Sequence, residues 1–471
     1  MFDVRCLPPV QNFSPQINFS FLLSAFSFFS QMRVTHVITR LIVGGAQENT
    51  IASVLGLRQK PGLEVDLISG PTYGPEGSLE SALTPALSPG ERENIADTLA
   101  NPPLPNSSQR GNEKPPLLGE RAGVRADNVS NKIPTLTVVP ELVRPVHPWK
   151  DFIALRKLEN IFREQKPDIV HTHSGKAGVL GRLAAARAGV PIIIHTIHGP
   201  SFGNFQGALA NFVFRAAERR AGKVTTHFVV VADAMRDQYL AAGIGRPGQY
   251  TRIFSGFDLA PFLAAADNSQ PSTLNHQLAL RARHGLAPDD IVIGKIARLF
   301  RLKGHDDLFA IAPELVRRNP RVKFLLVGDG EWRQRFERQV ENIGLRRHFV
   351  FTGLVPPAEI ASLVGIMDVL VHLSRREGLP RALPQALAAA RPVVAYDCDG
   401  AREVCLENQT GFLVPPGDLP QLTGRILLLA SDAALREQLG RRGQQFVREN
   451  FPVGRMVDEL YALYQSLVPK A

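Results

Sequence analysis

Two cations stand close together, directly after an apolar run in the second half of the chain. Arg298 and Lys303 follow Val292-Ile-Gly-Lys-Ile-Ala297, a run that predicts a buried strand. Because arginine offers a planar fork of N–H donors and lysine a compact charge, the pair suits a diphosphate and can neutralise charge developing on a leaving nucleotide diphosphate. Two solvated surface cations would have the same spacing, so spacing alone leaves both interpretations open.

A second segment combines a carboxylate with a glycine turn. Glu377-Gly-Leu-Pro-Arg-Ala-Leu-Pro-Gln385 follows the apolar run Val369–His372 and leads into a predicted helix. A helix N-terminus presents unpaired N–H groups to phosphate, Gly378 allows close backbone approach, and a proline is tolerated in a first turn. Glu377, at the rim, can accept hydrogen bonds from sugar hydroxyls. A capped strand–helix junction without a ligand is the alternative.

The first half of the chain contains a shorter glycine signal. Gly44-Gly45-Ala46-Gln47 follows the first apolar run and opens a predicted helix, the geometry of a backbone anion cradle. The full G-x-G-x-x-G pattern is missing, so a dinucleotide site is poorly supported.

Four histidines cluster at predicted strand ends: His171, His173, His195 and His198. Their spacing matches no Cys/His metal motif, so we predict no metal site. His198, followed by Gly199, comes just after a strand and is expected to face the cleft. There it can bind a hydroxyl of a sugar donor or orient an acceptor molecule. The alternative is a histidine that packs in the core and has no role in binding.

Two neighbouring helices carry basic residues: Arg182 and Arg187 on the first, and Arg215, Arg219, Arg220 and Lys223 on the second. A solvated helix face explains them. The other interpretation is a patch that docks on an anionic membrane or an acidic acceptor, since clusters of about four to eight cations hold proteins at lipid surfaces.

These candidates need a scaffold that places strand ends together. Short apolar runs alternate with helical periodicity, and the predicted strands cover residues 34–38, 65–69, 135–139, 168–172, 192–196, 228–231, 292–296, 324–327, 350–352, 369–372 and 393–395. Strands apolar on both faces between amphipathic helices indicate parallel sheets covered on two sides. The sequence therefore predicts an α/β chain with two Rossmann-like, doubly wound domains facing each other across a cleft. Ligands bind at the carboxyl ends of such strands, where the candidate residues lie.

The alternation weakens over 260–277 and restarts near Asp290. We therefore place an N-terminal domain at 32–265, a C-terminal domain at 266–447, and a final helical segment at 448–471. Residues 1–31 show no period and are predicted to be disordered, with Met32 as the natural start. Residues 71–132 are rich in proline and repeat Gly-Glu-Arg, which predicts a disordered insert; a functional lid is the alternative.

The overall composition limits which classes of partner and which cellular location are expected. The net charge of +10 favours anionic partners, but no RNA-recognition signature occurs in the sequence, so we predict no nucleic-acid partner. Three cysteines, Cys6, Cys398 and Cys405, are too few for a disulfide framework, which fits a cytoplasmic location. No run reaches the ~18–20 apolar residues of a membrane span, so any membrane contact is expected to be peripheral, at the inner face.

In their order along the chain, these segments resemble the retaining GT-B glycosyltransferases of family 4, group 1 enzymes with a subfamily 4-like N-terminal domain. The resemblance covers nearly all of 33–467. The matching segments are Gly44-Gly45, His171-Thr-His-Ser-Gly-Lys-Ala-Gly-Val-Leu-Gly-Arg182, His198-Gly199, Arg298-Leu-x3-Lys303-Gly304, Val327-Gly-Asp-Gly330, Phe351-Thr-Gly353, Glu377-Gly-Leu-Pro380 and Thr410-Gly-Phe-Leu-Val-Pro-Pro-Gly417.

The resemblance implies roles for individual residues. Arg298 and Lys303 would hold the donor diphosphate, Glu377 the donor sugar, and His198 would complete the catalytic set from the other domain. The donor-binding residues would be Gly44, Gly45, Arg298, Lys303, Gly353, Leu354, Gly378, Leu379, Pro380 and Gln385, with the backbone of 353–355 at the nucleobase. Family members use a nucleotide-diphosphate sugar, UDP- or GDP-linked, retain anomeric configuration, and need neither metal nor cofactor. The resemblance also implies that the N-terminal domain, 32–265, binds the acceptor and that the C-terminal domain, 266–447, binds the nucleotide-sugar. The last helix of family members, here roughly 453–466, returns to the N-terminal domain.

The implied activity is transfer of a hexose-type sugar to a hydroxyl of a glycan, lipid-linked or small-molecule acceptor, in cell-surface polysaccharide or glycolipid synthesis. The alternative is a degenerate relative that binds nucleotide-sugar without transferring it. Two departures from the family pattern bear on this choice: the insert at 71–132, and Gln385, where the family usually has a second glutamate assigned to the ribose. A neutral amide can still accept from one hydroxyl and donate to another.

Overall fold

The computed structural model describes residues 31–72, 78–80, 136–203, 205–267 and 269–468. The predictions made for the leader 1–31, except its last residue, and for nearly all of the insert 71–132 lie outside these residues.

The first half of the chain builds a parallel sheet with helices between its strands. The strands are β1 (Met32–Ile38), β2 (Leu63–Ser69), β3 (Leu136–Val138), β4 (Ile169–His173), β5 (Ile192–Ile197), β6 (His227–Val230) and β7 (Tyr250–Arg252). The helices are α1 (Gly45–Leu57), α2 (Pro148–Gln165), α3 (Gly175–Ala188), α4 (Ala208–Gly222) and α5 (Asp233–Ala241). Every residue of β4 and β5 is buried, because helices cover both faces of the sheet.

The second half repeats this architecture. Its strands are β8 (Ile291–Ile296), β9 (Val322–Val327), β10 (Phe349–Gly353), β11 (Val369–His372), β12 (Val393–Tyr396) and β13 (Gly411–Val414). Its helices are α6 (Ala260–Ala266), α7 (Pro271–Arg283), α8 (His305–Arg318), α9 (Arg333–Asn342), α10 (Ile360–Gly365), α11 (Ala382–Ala388), α12 (Leu419–Ser431) and α13 (Ala433–Asn450), followed by α14 (Val453–Leu467).

The strand orders are β3-β2-β1-β4-β5-β6-β7 and β10-β9-β8-β11-β12-β13, and all pairings within the two sheets are parallel. Each order reverses once, between β1 and β4 and between β8 and β11. Open parallel sheets bind ligands outside the carboxyl ends of the strands at such reversal points. The predicted fold class, two doubly wound Rossmann-like domains, is confirmed.

The link between the domains contains structure that the sequence pattern does not show. Phe257 and Phe262, which precede the predicted boundary at 265/266, pack in a core cluster with residues of the second sheet. The stretch 260–277, which shows little pattern in the sequence, contains α6 and most of α7. The apolar face of α6 is short and packs on α10 and α11, which sequence periodicity cannot register.

The last helix crosses back to the first domain. Met456, Val457, Leu460, Leu463 and Tyr464 of α14 are buried in the same cluster as the apolar residues of β1 and α1. These five positions follow the i, i+3, i+4 spacing of one helical face, so the sequence of α14 specifies a single buried side.

Candidate active site

The carboxyl ends of the two sheets enclose a cleft with a cavity of about 600 Å³. The loops after β1, β5, β8, β10 and β11 all contribute to its lining. Eight of the twelve predicted site residues line it: Gly45, His198, Arg298, Leu354, Glu377, Leu379, Pro380 and Gln385. The other four lie directly beside lining residues, in sequence or in contact: Gly44, Lys303, Gly353 and Gly378. The predicted residues are thus brought to one cleft.

The loop after β8 carries Arg298 and Lys303 and is held in a constrained conformation. Leu302 has φ of 69° and Gly304 has φ of 66°, both in the left-handed region. A side chain at Gly304 would also collide with the carbonyl of Leu373, so only glycine fits there. A left-handed leucine costs roughly 1–3 kcal/mol and is retained where surrounding contacts over-determine the backbone.

Those contacts come from the loop after β11. The Arg375 N–H donates to the Leu302 carbonyl at 2.9 Å, and the Ser374 hydroxyl donates to the same oxygen at 3.4 Å. The two loops at the reversal point are therefore joined directly, which sets Lys303 against Glu377.

Glu377 forms an ion pair with Lys303, Nζ to Oε1. Its backbone N–H donates to Asp399 Oδ2 at 2.8 Å, and Asp399 is itself left-handed, with φ of 49°. Burial acts to raise the pKa of the Glu377 carboxyl, but the charge of Lys303 and its hydrogen bond to the carboxylate outweigh it, so the net pKa is lowered. Glu377 is thus an anion held at the cleft, beside a cation that can engage a diphosphate.

Two titratable residues near this pair did not emerge from the sequence. Lys295, in the middle of β8, is only 2% exposed, and burial, reinforced by the charge of Lys303, lowers its pKa to about 7. His372, at the end of β11, lines the cavity, and burial lowers its pKa to about 3, which keeps it neutral. The only sequence signal for Lys295 was a lysine inside an otherwise apolar strand.

Contacts between the domains close one side of the cleft. The backbone at Gly378 approaches the His198 carbonyl so closely that a side chain at 378 would collide with it. Arg381 forms an ion pair with Glu48 of α1. Both Glu48 and Arg381 line the cavity, and neither was singled out in the sequence, although Arg381 lies within the Glu377–Gln385 segment.

His198 faces the pair from the N-terminal domain. Its Nε2 lies 3.1 Å from His173 Nδ1, and burial lowers its pKa to about 4, so the ring is neutral near pH 7. A neutral imidazole can donate to or accept from a sugar hydroxyl, depending on its tautomer.

One wall of the cavity is apolar. Val355, Pro357, Ile360 and Leu354 line it, and Leu354 is 62% exposed. Gly353 has φ of 74°, and its carbonyl accepts from the Gly328 N–H at 3.1 Å. This wall offers apolar contact and backbone groups, a combination suited to a planar base.

The basic face predicted from the sequence is only partly correct. Arg182 is fully buried, and its guanidinium bonds Glu218 Oε2 at 2.6 Å, so it belongs to an internal ion pair and not to a surface patch. The partners are 36 residues apart in sequence, outside any helical spacing. Arg187, Arg219, Arg220 and Lys223 are exposed, and Arg215 is partly buried. Within the described residues, no helix has the length and apolarity to cross a membrane.

The histidines at the strand ends also converge. His36, His171 and His173 place their nitrogens within 4.8 Å of one another, a grouping that could hold a metal ion. However, all six of their ring nitrogens already have hydrogen-bond partners.

Each half of the chain matches a domain of known glycosyl transferases. Residues 48–254 match the glycosyl transferase 4-like domain, and residues 277–446 match the glycosyl transferases group 1 domain. The UDP-Gal:alpha-D-GlcNAc-diphosphoundecaprenol alpha-1,3-galactosyltransferase of Escherichia coli is 25% identical over 355 residues, 75% of this chain and 89% of its own. The GDP-mannose-dependent alpha-mannosyltransferase of Mycobacterium tuberculosis is 28% identical over 359 residues, 73% of this chain and 82% of its own.

Solved structures show the same fold. The crystal structure of Anabaena HepE in complex with UDP superposes with a TM-score of 0.67 at 20% identity, covering 92% of this chain and 100% of HepE. The resemblance drawn from the sequence motifs is therefore confirmed: the chain is a GT-B enzyme that belongs to the group 1 glycosyl transferases with a 4-like N-terminal domain.

Proposed function

We propose that this enzyme moves a hexose-type sugar from a UDP- or GDP-linked donor to an acceptor hydroxyl, with retention of configuration and without a catalytic metal. The observation that carries the proposal is the convergence of Arg298, Lys303 and Glu377 at the reversal point of the C-terminal sheet, opposite His198.

Each part of a donor has a matching part of the cleft. Arg298 and Lys303 would bind the diphosphate, and Glu377 and His198 the hydroxyls of the sugar. The apolar wall at Leu354 and the neighbouring backbone would receive the base, and Gln385 of α11, which also lines the cavity, would bind the ribose.

The reaction follows from this arrangement. The acceptor oxygen would attack the anomeric carbon on the face from which the diphosphate leaves, as the C1–O bond to phosphate breaks. The acceptor proton would pass to an oxygen of the leaving diphosphate. Arg298 and Lys303 would neutralise the charge that develops there, the role that preorganised cations fill in phosphoryl chemistry.

A thermal-shift panel of UDP-, GDP- and ADP-sugars tests donor binding. A ligand at ~100 times its Kd adds about 2.7 kcal/mol of stability, a clear rise in melting temperature. We expect a rise with UDP- or GDP-linked sugars; no rise with any donor at millimolar concentration would contradict the proposal.

The Gln385→Glu variant distinguishes a working enzyme from a relative that binds the nucleotide-sugar without transferring the sugar. We expect the wild-type chain to turn over, and Gln385→Glu to weaken nucleotide binding about five-fold, because a carboxylate cannot replace the amide N–H as a hydrogen-bond donor, a loss of ~1 kcal/mol. Calorimetry of nucleotide binding to both forms, with turnover measured in parallel, checks this. An inactive wild type rescued by glutamate would instead indicate a decayed ribose site.

The acceptor side has a surface suited to a lipid-linked substrate. On α4, Leu209, Phe212 and Val213 are 78%, 70% and 51% exposed, and Arg220 and Lys223 continue the same face toward the end of the helix. Trp149, at the start of α2, is 67% exposed. Helices that follow parallel strands begin at the carboxyl edge of the sheet, so these apolar groups lie at the cleft edge of the N-terminal domain. We propose that this surface contacts an anionic membrane.

Vesicle sedimentation tests that contact. The double variant Leu209→Ser/Phe212→Ser should lower partitioning onto phosphatidylglycerol-containing vesicles by more than about ten-fold, because each buried apolar side chain contributes ~1.5–3 kcal/mol. Leu274→Ser, which changes an exposed leucine of α7, is the matched control. Equal partitioning of all three proteins would show that this surface is not a membrane contact, and equally strong binding to phosphatidylcholine alone would show that the contact does not require an anionic membrane.

A further inference from the structure

Beneath His198, a continuous row of hydrogen bonds runs through the core of the N-terminal domain and includes one residue of the C-terminal helix α14. We call it the histidine–tyrosine chain, and its members in order are Thr196, His171, Tyr464, His36, His173 and His198. The first five members are at most 3% exposed, and only His198 reaches the cleft.

The successive distances are those of hydrogen bonds. Thr196 Oγ1 lies 2.6 Å from His171 Nε2, and His171 Nδ1 lies 2.5 Å from the Tyr464 hydroxyl. That hydroxyl lies 3.2 Å from His36 Nε2, and His36 Nδ1 lies 2.8 Å from His173 Nε2. The final step, His173 Nδ1 to His198 Nε2, is 3.1 Å.

The interior histidines are neutral. Burial lowers the pKa of His36 to about 3 and holds the pKa values of His171 and His173 well below their ordinary range. A neutral imidazole has one N–H donor and one acceptor nitrogen, so each interior ring must donate on one side and accept on the other. The direction of one hydrogen bond therefore sets the direction of the next.

Tyr464 couples the two halves of the histidine–tyrosine chain, because its hydroxyl carries a single proton. If both His171 and His36 donated to it, that proton would need a third partner, and the described part of the structure contains none. A buried donor without an acceptor lowers the stability of the folded state by about 1–3 kcal/mol. The chain is thus restricted to two patterns, one running from Thr196 to His198 and one running the opposite way.

The Thr196 end selects between them. When Thr196 donates to His171, every member is satisfied. In the reverse pattern His171 donates to Thr196, and the buried threonine proton has no second acceptor among the residues that the structure describes. The forward pattern ends with His173 donating to Nε2 of His198.

We propose that the histidine–tyrosine chain fixes His198 as the tautomer with its proton on Nδ1, and that Tyr464, on the last helix, is a positioning residue for the cleft. His198 then presents an N–H donor to the ligand and not a lone pair. Such a donor suits an oxygen that accepts, as a sugar hydroxyl or a phosphate does. The tautomer follows from the fold alone, whereas its use on a donor sugar rests on the proposed function.

A metal at His36, His171 and His173 would require a different arrangement. A bound ion would break the hydrogen bonds at each nitrogen that coordinates it. The histidine–tyrosine chain contains no carboxylate to offset the added charge in the core. The proposal therefore predicts that Zn²⁺ leaves these rings unchanged.

The test is the tautomer of His198 in the full chain labelled with ¹⁵N-histidine. Two-bond ¹H–¹⁵N correlation spectra at pH 7 distinguish a protonated Nδ1 from a protonated Nε2, and the His198 signal is assigned from its loss in His198→Gln. We expect a protonated Nδ1. A protonated Nε2 at His198 in the wild-type spectrum, or an average of the two tautomers, would overturn the proposal without any assay of activity.

Tyr464→Phe keeps the aromatic ring and removes the coupling hydroxyl. We expect the His198 signal to change to a tautomer average and kcat to fall several-fold, with KM for the donor changed less than kcat. Tyr461→Phe is the matched control on the same helix, because its hydroxyl donates to the Pro61 carbonyl, outside the chain. An unchanged His198 signal in Tyr464→Phe would contradict the proposal.

If Tyr464→Phe does not fold, Thr196→Val provides a second break at the other end, with the same expected change at His198. A rise in melting temperature with Zn²⁺ that His173→Gln abolishes would establish a metal site and contradict the proposal about the histidine–tyrosine chain. If His198 shows the expected tautomer but no nucleotide-sugar binds, the proposed function fails and the inference about His198 stands.

Discussion

Arg298→Ala and Lys303→Ala should each lower turnover by about 10²–10³-fold, the usual loss when one group that stabilises developing charge is removed. Both residues belong to the loop after β8, and Lys303 reaches the anion at Glu377. Their substitution should leave the fold intact, because partly exposed ion pairs contribute only ~0–1 kcal/mol. Steady-state nucleotide release, with melting temperature recorded for each variant, is the measurement.

Arg301→Ala is the matched control, since Arg301 is an exposed cation of the same loop that does not line the cavity. Its turnover should stay within about two-fold of wild type, as for most surface substitutions. If the three variants lose activity equally, the loop acts through general charge or folding, and the diphosphate assignment is wrong.

Glu377→Gln should separate sugar recognition from nucleotide recognition. We expect kcat/KM for transfer to fall by about 10–10²-fold, because a hydrogen bond to a charged acceptor contributes ~1.5–3 kcal/mol. Affinity for the free nucleotide diphosphate should be equal or slightly higher, since Lys303 loses its carboxylate partner and is left to the phosphate. Calorimetry with nucleotide and with nucleotide-sugar, alongside turnover, provides the comparison.

Glu331→Gln, at an exposed position after β9, is the control for loss of one negative charge. A parallel fall in affinity for nucleotide and nucleotide-sugar in Glu377→Gln would argue that Glu377 organises the loop and does not bind the sugar.

The core strands were predictable because their signal is local. Strand β11 (Val369–His372) has the predicted bounds, and the other predicted strands differ by at most two residues at an end. Two strands did not emerge from the sequence: β7 (Tyr250–Arg252) and β13 (Gly411–Val414). Both are short edge strands whose pairing depends on the neighbouring strand more than on their own apolar residues.

The positions of the candidate site residues were predictable where chemically suitable side chains directly follow the strands. Arg298, Lys303 and Glu377 each follow a strand, and parallel strands bring their carboxyl ends together. Contacts between distant parts of the chain were not accessible in this way. The pairing of Arg182 with Glu218, and of Tyr464 with histidines more than 290 residues earlier, is set by packing that no spacing rule describes.

The central claim is that the Arg298, Lys303 and Glu377 cleft activates a nucleotide-diphosphate sugar for transfer. Its most direct test is the rate at which purified enzyme releases free UDP or GDP from the matching sugar donors, compared in wild type and Lys303→Ala. We expect release with one nucleotide class, reduced by about 10²-fold in the variant. Equal release by wild type and Lys303→Ala, or a donor that binds and is never consumed with any acceptor, would contradict the claim.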